Sequence, residues 1–144
     1  MGQTVTERRK ILLIDDEHDL REALRIRLTA SGFDVTAVDS GDAGLKEAGA
    51  NRFDLILLDM LMPGKSGIVT LQELRAQPAS RQIPVILLTA VTTQEHWEPM
   101  PHSTGGGPAF IMGKPYDRDI LLNRIQQVLT GIPEGPSQTG GAAG

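Results

Sequence analysis

Asp59 ends an apolar run, Asp54-Leu-Ile-Leu-Leu-Asp59, and is followed by Met60-Leu-Met-Pro63-Gly64. Upstream, a second apolar run, Lys10-Ile-Leu-Leu-Ile14, ends in the paired carboxylates Asp15 and Asp16. If both runs are buried neighbouring strands, three acids gather at one edge of a sheet. Like charges held that close repel one another. Such a cluster implies a bound cation, a reacting carboxylate, or both. Each residue also has an ordinary structural reading. The Asp15–Asp16 pair fits a cap for the next helix, and Asp59 fits a turn residue before Pro63-Gly64.

The elements that would position these acids follow from hydrophobic pattern. Residues 10–14 form a short continuous apolar strand of the kind buried on both faces. Leu20, Ala23, Leu24 and Leu28 then repeat at helical spacing, and Gly32 supplies a stop signal. Residues 34–38 predict a second strand. Ser40 opens a short helix, which Gly44 weakens. Residues 54–58 predict a third strand, 66–76 a helix with Ile68, Leu71 and Leu74 on one face, and 83–89 a fourth strand with Pro84 near its start. A fifth, weaker strand is expected at 109–112. A helix is expected at 119–130, with Leu121, Leu122, Ile125, Val128 and Leu129 as its apolar stripe. Strands alternating with helices predict a doubly wound, five-stranded parallel sheet flanked by helices. Ligands in such folds bind beyond the carboxyl ends of the strands. Asp15, Asp16, Asp59, Thr89 and Lys114 are all expected there.

Composition narrows the classes of function. The 144 residues suit one domain with a full-sized core. A net charge of −4 argues against a dominant nucleic-acid surface. The Arg8-Arg9-Lys10 cluster reads as a solvated strand cap. The chain lacks cysteine, which excludes disulfides, thiolate metal sites and cysteine nucleophiles. The first residues lack the apolar core of a signal peptide, and no apolar run approaches membrane-spanning length. A cytoplasmic protein without membrane contact is expected. Residues 1–9 read as an N-terminal extension, 10–130 as the folded domain, and 131–144 as a flexible Gly/Pro-rich tail. Residues 92–108 should hold a helix, but Pro99, Pro101 and Gly105-Gly106-Gly107 break it.

Four motifs, Ile-Leu-Leu-Ile-Asp15-Asp16-Glu, Leu-Ile-Leu-Leu-Asp59-Met-Leu-Met-Pro-Gly, Val-Ile-Leu-Leu-Thr89-Ala and Gly-Lys114-Pro115, stand in this order at the ends of successive strands. Together they resemble the receiver domain of two-component response regulators, over about residues 10–130. The resemblance implies a flavodoxin-like receiver fold, similar to that of the stand-alone chemotaxis regulators. It also implies an aspartyl phosphoacceptor at Asp59 and Mg²⁺ held by Asp15, Asp16, Asp59 and the backbone carbonyl of Leu61. Thr89 would be the switch hydroxyl and Lys114 a phosphoryl contact.

The chemistry of these residue types agrees. A carboxylate can attack phosphorus, Mg²⁺ is a hard cation that takes carboxylate and water oxygens, and a lysine ammonium offers a compact charge to a phosphoryl oxygen. Taken singly, Thr89 also fits a β-branched strand residue and Lys114 a solvated lysine.

The resemblance further implies a sensor histidine kinase or histidine phosphotransfer protein as donor. Output would run through contact with a downstream protein or through a phosphorelay. No direct nucleic-acid contact, no enzymatic action on a metabolite, and a monomer or weak dimer are expected. Three features depart from the family pattern. Ile111 stands where an aromatic residue is usual, the segment between Thr89 and Lys114 is long and broken, and no output domain is expected after residue 130. These leave an alternative, a receiver-like binding scaffold that works without phosphorylation. Leu61 and Val91, two residues after Asp59 and Thr89, are apolar, so slow self-dephosphorylation is expected.

Overall fold

The computed structural model describes residues 8–89, 110–113 and 117–130. The elements run β1 (Lys10–Ile14), α1 (His18–Ala30), β2 (Asp34–Val38), α2 (Gly41–Ala50), β3 (Leu55–Asp59), α3 (Gly67–Ala76), β4 (Val85–Thr89), β5 (Phe110–Gly113) and α4 (Arg118–Thr130). The strands form one sheet in the order β2-β1-β3-β4-β5, and every neighbouring pair is parallel. Four helices flank it among the described residues. The expected broken helix at 92–108, Lys114 and the tail lie outside the described residues. No helix among the described residues is long and apolar enough to cross a membrane.

The continuous apolar runs have a direct physical cause. Side chains alternate across a strand, and this sheet buries both faces. Leu12, Ile14, Ile56, Leu58, Val85 and Leu87 share one core with Ala48 of α2 and Leu71 and Leu74 of α3. Ile11, Leu13, Leu55, Leu57, Ile86 and Leu88 share the other with Leu24 and Leu28 of α1 and Leu121 and Ile125 of α4. All five residues of β3 and of β4 are buried, so truncating one such Leu to Ala would cost about 2–5 kcal/mol. The edge strand β2 is only partly buried, which accounts for its weaker pattern.

Local signals set the ends of the elements. Ser40 and Ser66 accept from the amides of Ala43 and Val69 at 3.1 and 3.3 Å, capping α2 and α3. At the end of α1, Gly32 has φ 102°. The Gly32 amide donates to Thr29 O and the Phe33 amide to Leu28 O, a Schellman closure. Phe33 and Leu28 are buried in the same core. Pro84 precedes β4, where its carbonyl accepts from the Ile56 amide at 3.0 Å. Between α3 and β4, the buried Arg75 guanidinium donates to the carbonyls of Ser80, Arg81 and Ile83. Burial lowers its pKa below the ordinary arginine range.

Strand order reverses direction between β1 and β3. From β1 the chain passes to β2 on one side, then returns to β3 on the other. A crevice beyond the strand ends is expected at this point. Asp15 and Asp59 stand on its two sides.

Candidate metal and phosphoryl site

Asp15 follows the last residue of β1, and three of its atoms are engaged. Its amide donates to Val38 O at 3.1 Å. Its Oδ1 accepts from the Glu17 amide at 2.9 Å, and its carbonyl accepts from the Arg21 guanidinium at 3.0 Å. Helix capping does not account for the acid pair. The N-cap of α1 is Glu17, with no side-chain cap bond, and Asp19 is the acidic residue of the first turn.

Asp59 is the last residue of β3, so that strand lies one residue later than the sequence pattern predicts. The chain just beyond it is pinned. The Met60 amide donates to Leu88 O and the Gly67 amide to Met60 O, each at 2.8 Å. A Cβ on Gly67 would stand 2.6 Å from Met60 Cα and overlap the Asp59 carbonyl. Glycine at the start of α3 therefore lets that helix seat directly on the strand end. The Leu61 amide points at Asp59 Oδ1, at 3.4 Å.

One carboxylate oxygen from each of Asp15, Asp16 and Asp59 lies within 4.8 Å of the others. Asp15 is 1% and Asp59 4% exposed, whereas Asp16 faces solvent. At such a separation two carboxylates repel by about 3–4 kcal/mol at an effective dielectric of about 20. A divalent cation reverses that sign. Three hard oxygen donors, two sheltered and one open to water, fit Mg²⁺, which keeps several waters and takes only a few carboxylates.

Thr89 ends β4, the strand next to β3, and is 3% exposed. Ile111, on the edge strand β5, is 42% exposed. Sequence reasoning brought Asp15, Asp16 and Asp59 together and set Thr89 on the adjoining strand end. It missed two residues that brace the loops. Arg21 is one. The other is Lys65, in the β3–α3 loop, whose Nζ lies 2.5 Å from both Asp42 of α2 and Glu73 of α3. Hydrogen bonds to Asp42 first, then to Glu73, raise the Lys65 pKa. Neither brace has a sequence signature, because Arg21 meets a backbone carbonyl and the Asp42 partner of Lys65 belongs to another helix.

Comparison with known proteins agrees with this geometry. The family model for the response regulator receiver domain matches residues 11–126. The transcriptional regulatory protein RprY of Bacteroides fragilis is 36% identical over 123 residues, 85% of this chain and 50% of RprY. The DNA-binding response regulator MtrA of Mycobacterium tuberculosis is 32% identical over 133 residues, 92% of this chain and 56% of MtrA. The chain thus spans about half the length of these curated relatives.

Among solved structures, the chemotaxis response regulator CheY4 of Vibrio cholerae superposes with a TM-score of 0.76 at 28% identity, covering 85% of this chain and 100% of that one. The receiver domain of the sensor histidine kinase PA1611 from Pseudomonas aeruginosa, with a magnesium ion coordinated in its active site cleft, gives a TM-score of 0.74 at 27% identity. That match covers 86% of this chain and 99% of the other. Fold, strand-end acids and family match converge, and this chain belongs to the receiver domains of two-component response regulators.

Proposed function

We propose that Asp59 is the phosphoacceptor of this receiver, and that Asp15, Asp16, Asp59 and the Leu61 carbonyl hold the Mg²⁺ on which its reaction depends. Aspartyl phosphorylation and Mg²⁺ binding in the acidic pocket are general to the family. The observation that carries the assignment to these residues is the convergence of three carboxylates at the strand-order switch.

The donor is a phosphohistidine on a sensor kinase or a histidine phosphotransfer protein. An Asp59 carboxylate oxygen attacks phosphorus, the new P–O bond forms as the P–N bond breaks, and the imidazole leaves with the bonding pair. Mg²⁺ held by Asp15, Asp16, Asp59 and the Leu61 carbonyl would neutralise charge on the phosphoryl oxygens. Asp15 and Asp16 orient the cation, the Lys114 ammonium meets a phosphoryl oxygen, and the Thr89 hydroxyl donates to the group once it has transferred. The sheltered position of Asp59 limits access by water. Output runs by protein contact or by onward transfer of the phosphoryl group, from a cytoplasmic monomer or weak dimer. Relatives named as DNA-binding regulators lend no support to an output free of nucleic acid, and that part of the reading rests on the net charge of −4 alone.

A phosphorylation-independent scaffold is the second reading. Ile111 favours it, being half exposed where the family resemblance places an aromatic residue. Intact mass after incubation with Mg²⁺ and acetyl phosphate separates the two. Gain of one phosphoryl group, absent in Asp59→Asn and absent without Mg²⁺, is expected. A folded protein that binds Mg²⁺ and gains no mass establishes the scaffold instead.

A further inference from the structure

We infer that Arg21 is a positioning residue for the acid cluster, holding the β1–α1 turn so that Asp15 aims at the cation. The inference rests on the proposed reading of Asp15, Asp16 and Asp59 as the Mg²⁺ site. β1 ends at Ile14. Beyond it, the Asp15 amide still reaches β2 through Val38 O, but the Asp15 carbonyl accepts from a side chain, the Arg21 guanidinium, at 3.0 Å. Arg21 stands in the first turns of α1, and its own amide donates to Glu17 O. The Glu17 amide in turn donates to Asp15 Oδ1. Arg21, Glu17 and Asp15 therefore close a ring of hydrogen bonds around the turn. Both peptide groups flanking Asp15 are fixed, and so is one carboxylate oxygen. The side chain that remains has little freedom except to present its carboxylate toward Asp16 and Asp59. Groups behind a metal ligand commonly set its affinity by such orientation.

A plain electrostatic role has the opposite sign. A guanidinium beside the cluster repels a dication, so removing its charge would tighten Mg²⁺ binding. Lysine separates charge from contact, since Arg21→Lys keeps the charge but replaces the planar guanidinium fork with a shorter, flexible ammonium.

Calorimetric titration of the full chain with Mg²⁺ is the test, with melting temperature in the absence of Mg²⁺ recorded alongside. Arg21→Ala is expected to weaken Mg²⁺ by about 10-fold or more. Arg21→Lys is expected to weaken it severalfold with its metal-free melting unchanged. Hydrogen exchange at the Glu17 amide should quicken in both variants, a local change that a general loss of stability would not confine to one turn. Should Arg21→Ala fail to fold, Arg21→Lys carries the comparison alone. Wild-type affinity in Arg21→Lys, or tighter binding in Arg21→Ala, overturns the inference. A wild-type chain that takes up no Mg²⁺ overturns the metal site itself, a result distinct from wild-type uptake that the variants leave unchanged.

Discussion

Leu61 combines two effects on the same carboxylate. Its amide points at Asp59 Oδ1 at 3.4 Å, a donor aimed where negative charge resides. Its side chain, two residues past Asp59, is hydrocarbon and 53% exposed. Hydrolysis of an aspartyl-phosphate needs a water oriented by a base or a hydrogen-bond acceptor, and Leu61 offers neither. The phosphorylated protein is therefore expected to lose its phosphoryl group slowly, and Leu61→Asn to shorten its lifetime severalfold while the backbone amide stays in place. Following the loss of mass after removal of the phosphodonor measures both. A wild-type lifetime that Leu61→Asn leaves unchanged would show that access by water is set elsewhere. At this scale the acids were readable in the sequence because each ends an apolar strand. Arg21 was not, since the position of its partner, a main-chain carbonyl, depends on how the turn closes.

Among the elements, α2 shows where propensity and packing disagree. Gly44 weakens the helix by the residue's own preference, worth about 1 kcal/mol relative to Ala. In the fold, a Cβ at Gly44 would overlap Ile14 Cδ1 and stand 2.8 Å from Ile14 Cγ1. Ile14 is fully buried, and its β-branch stiffens χ1, so Cγ1 has little room to withdraw. Overpacking of this kind costs about 1–3 kcal/mol, which outweighs the gain in propensity. Gly44→Ala is expected to lower stability in urea unfolding, by about 1 kcal/mol after that offset. Equal or higher stability would mean that α2 shifts freely on the sheet. The glycine read as a weakness is thus the contact that lets α2 lie close to β1, one residue from Asp15. The five strands and the helices at 18–30, 67–76 and 118–130 were legible because burial on two faces, or on one stripe, writes itself into hydrophobic period. Helix-to-strand distance leaves no such periodic trace. The one-residue displacement of β3 has a similar cause, because Asp59 is held in the strand by the pairing of Met60 with Leu88 O.

For the whole molecule, the consequence of placing three carboxylates at a switch point is a coupling between cation and stability. The sheet buries both its faces and holds Asp15 and Asp59 at neighbouring strand ends. The unfolded chain does not hold these acids together, so Mg²⁺ at the proposed site would bind the native state preferentially and stabilise it by mass action. At about 100 times the dissociation constant this amounts to about 2.7 kcal/mol. In a domain of this size that raises the melting temperature by about 10 °C. Asp59→Asn and Asp15→Asn each remove a charged ligand and part of the mutual repulsion, so their melting is expected to depend little on Mg²⁺. Thermal unfolding of the three proteins across a Mg²⁺ series, with Ca²⁺ and added NaCl as controls for general screening, measures this. A wild-type melting temperature that responds to ionic strength alone would mean that the acids do not act together on one ion. A rise specific to Mg²⁺ and lost in both variants would tie the stability of the fold to the site at the ends of β1 and β3.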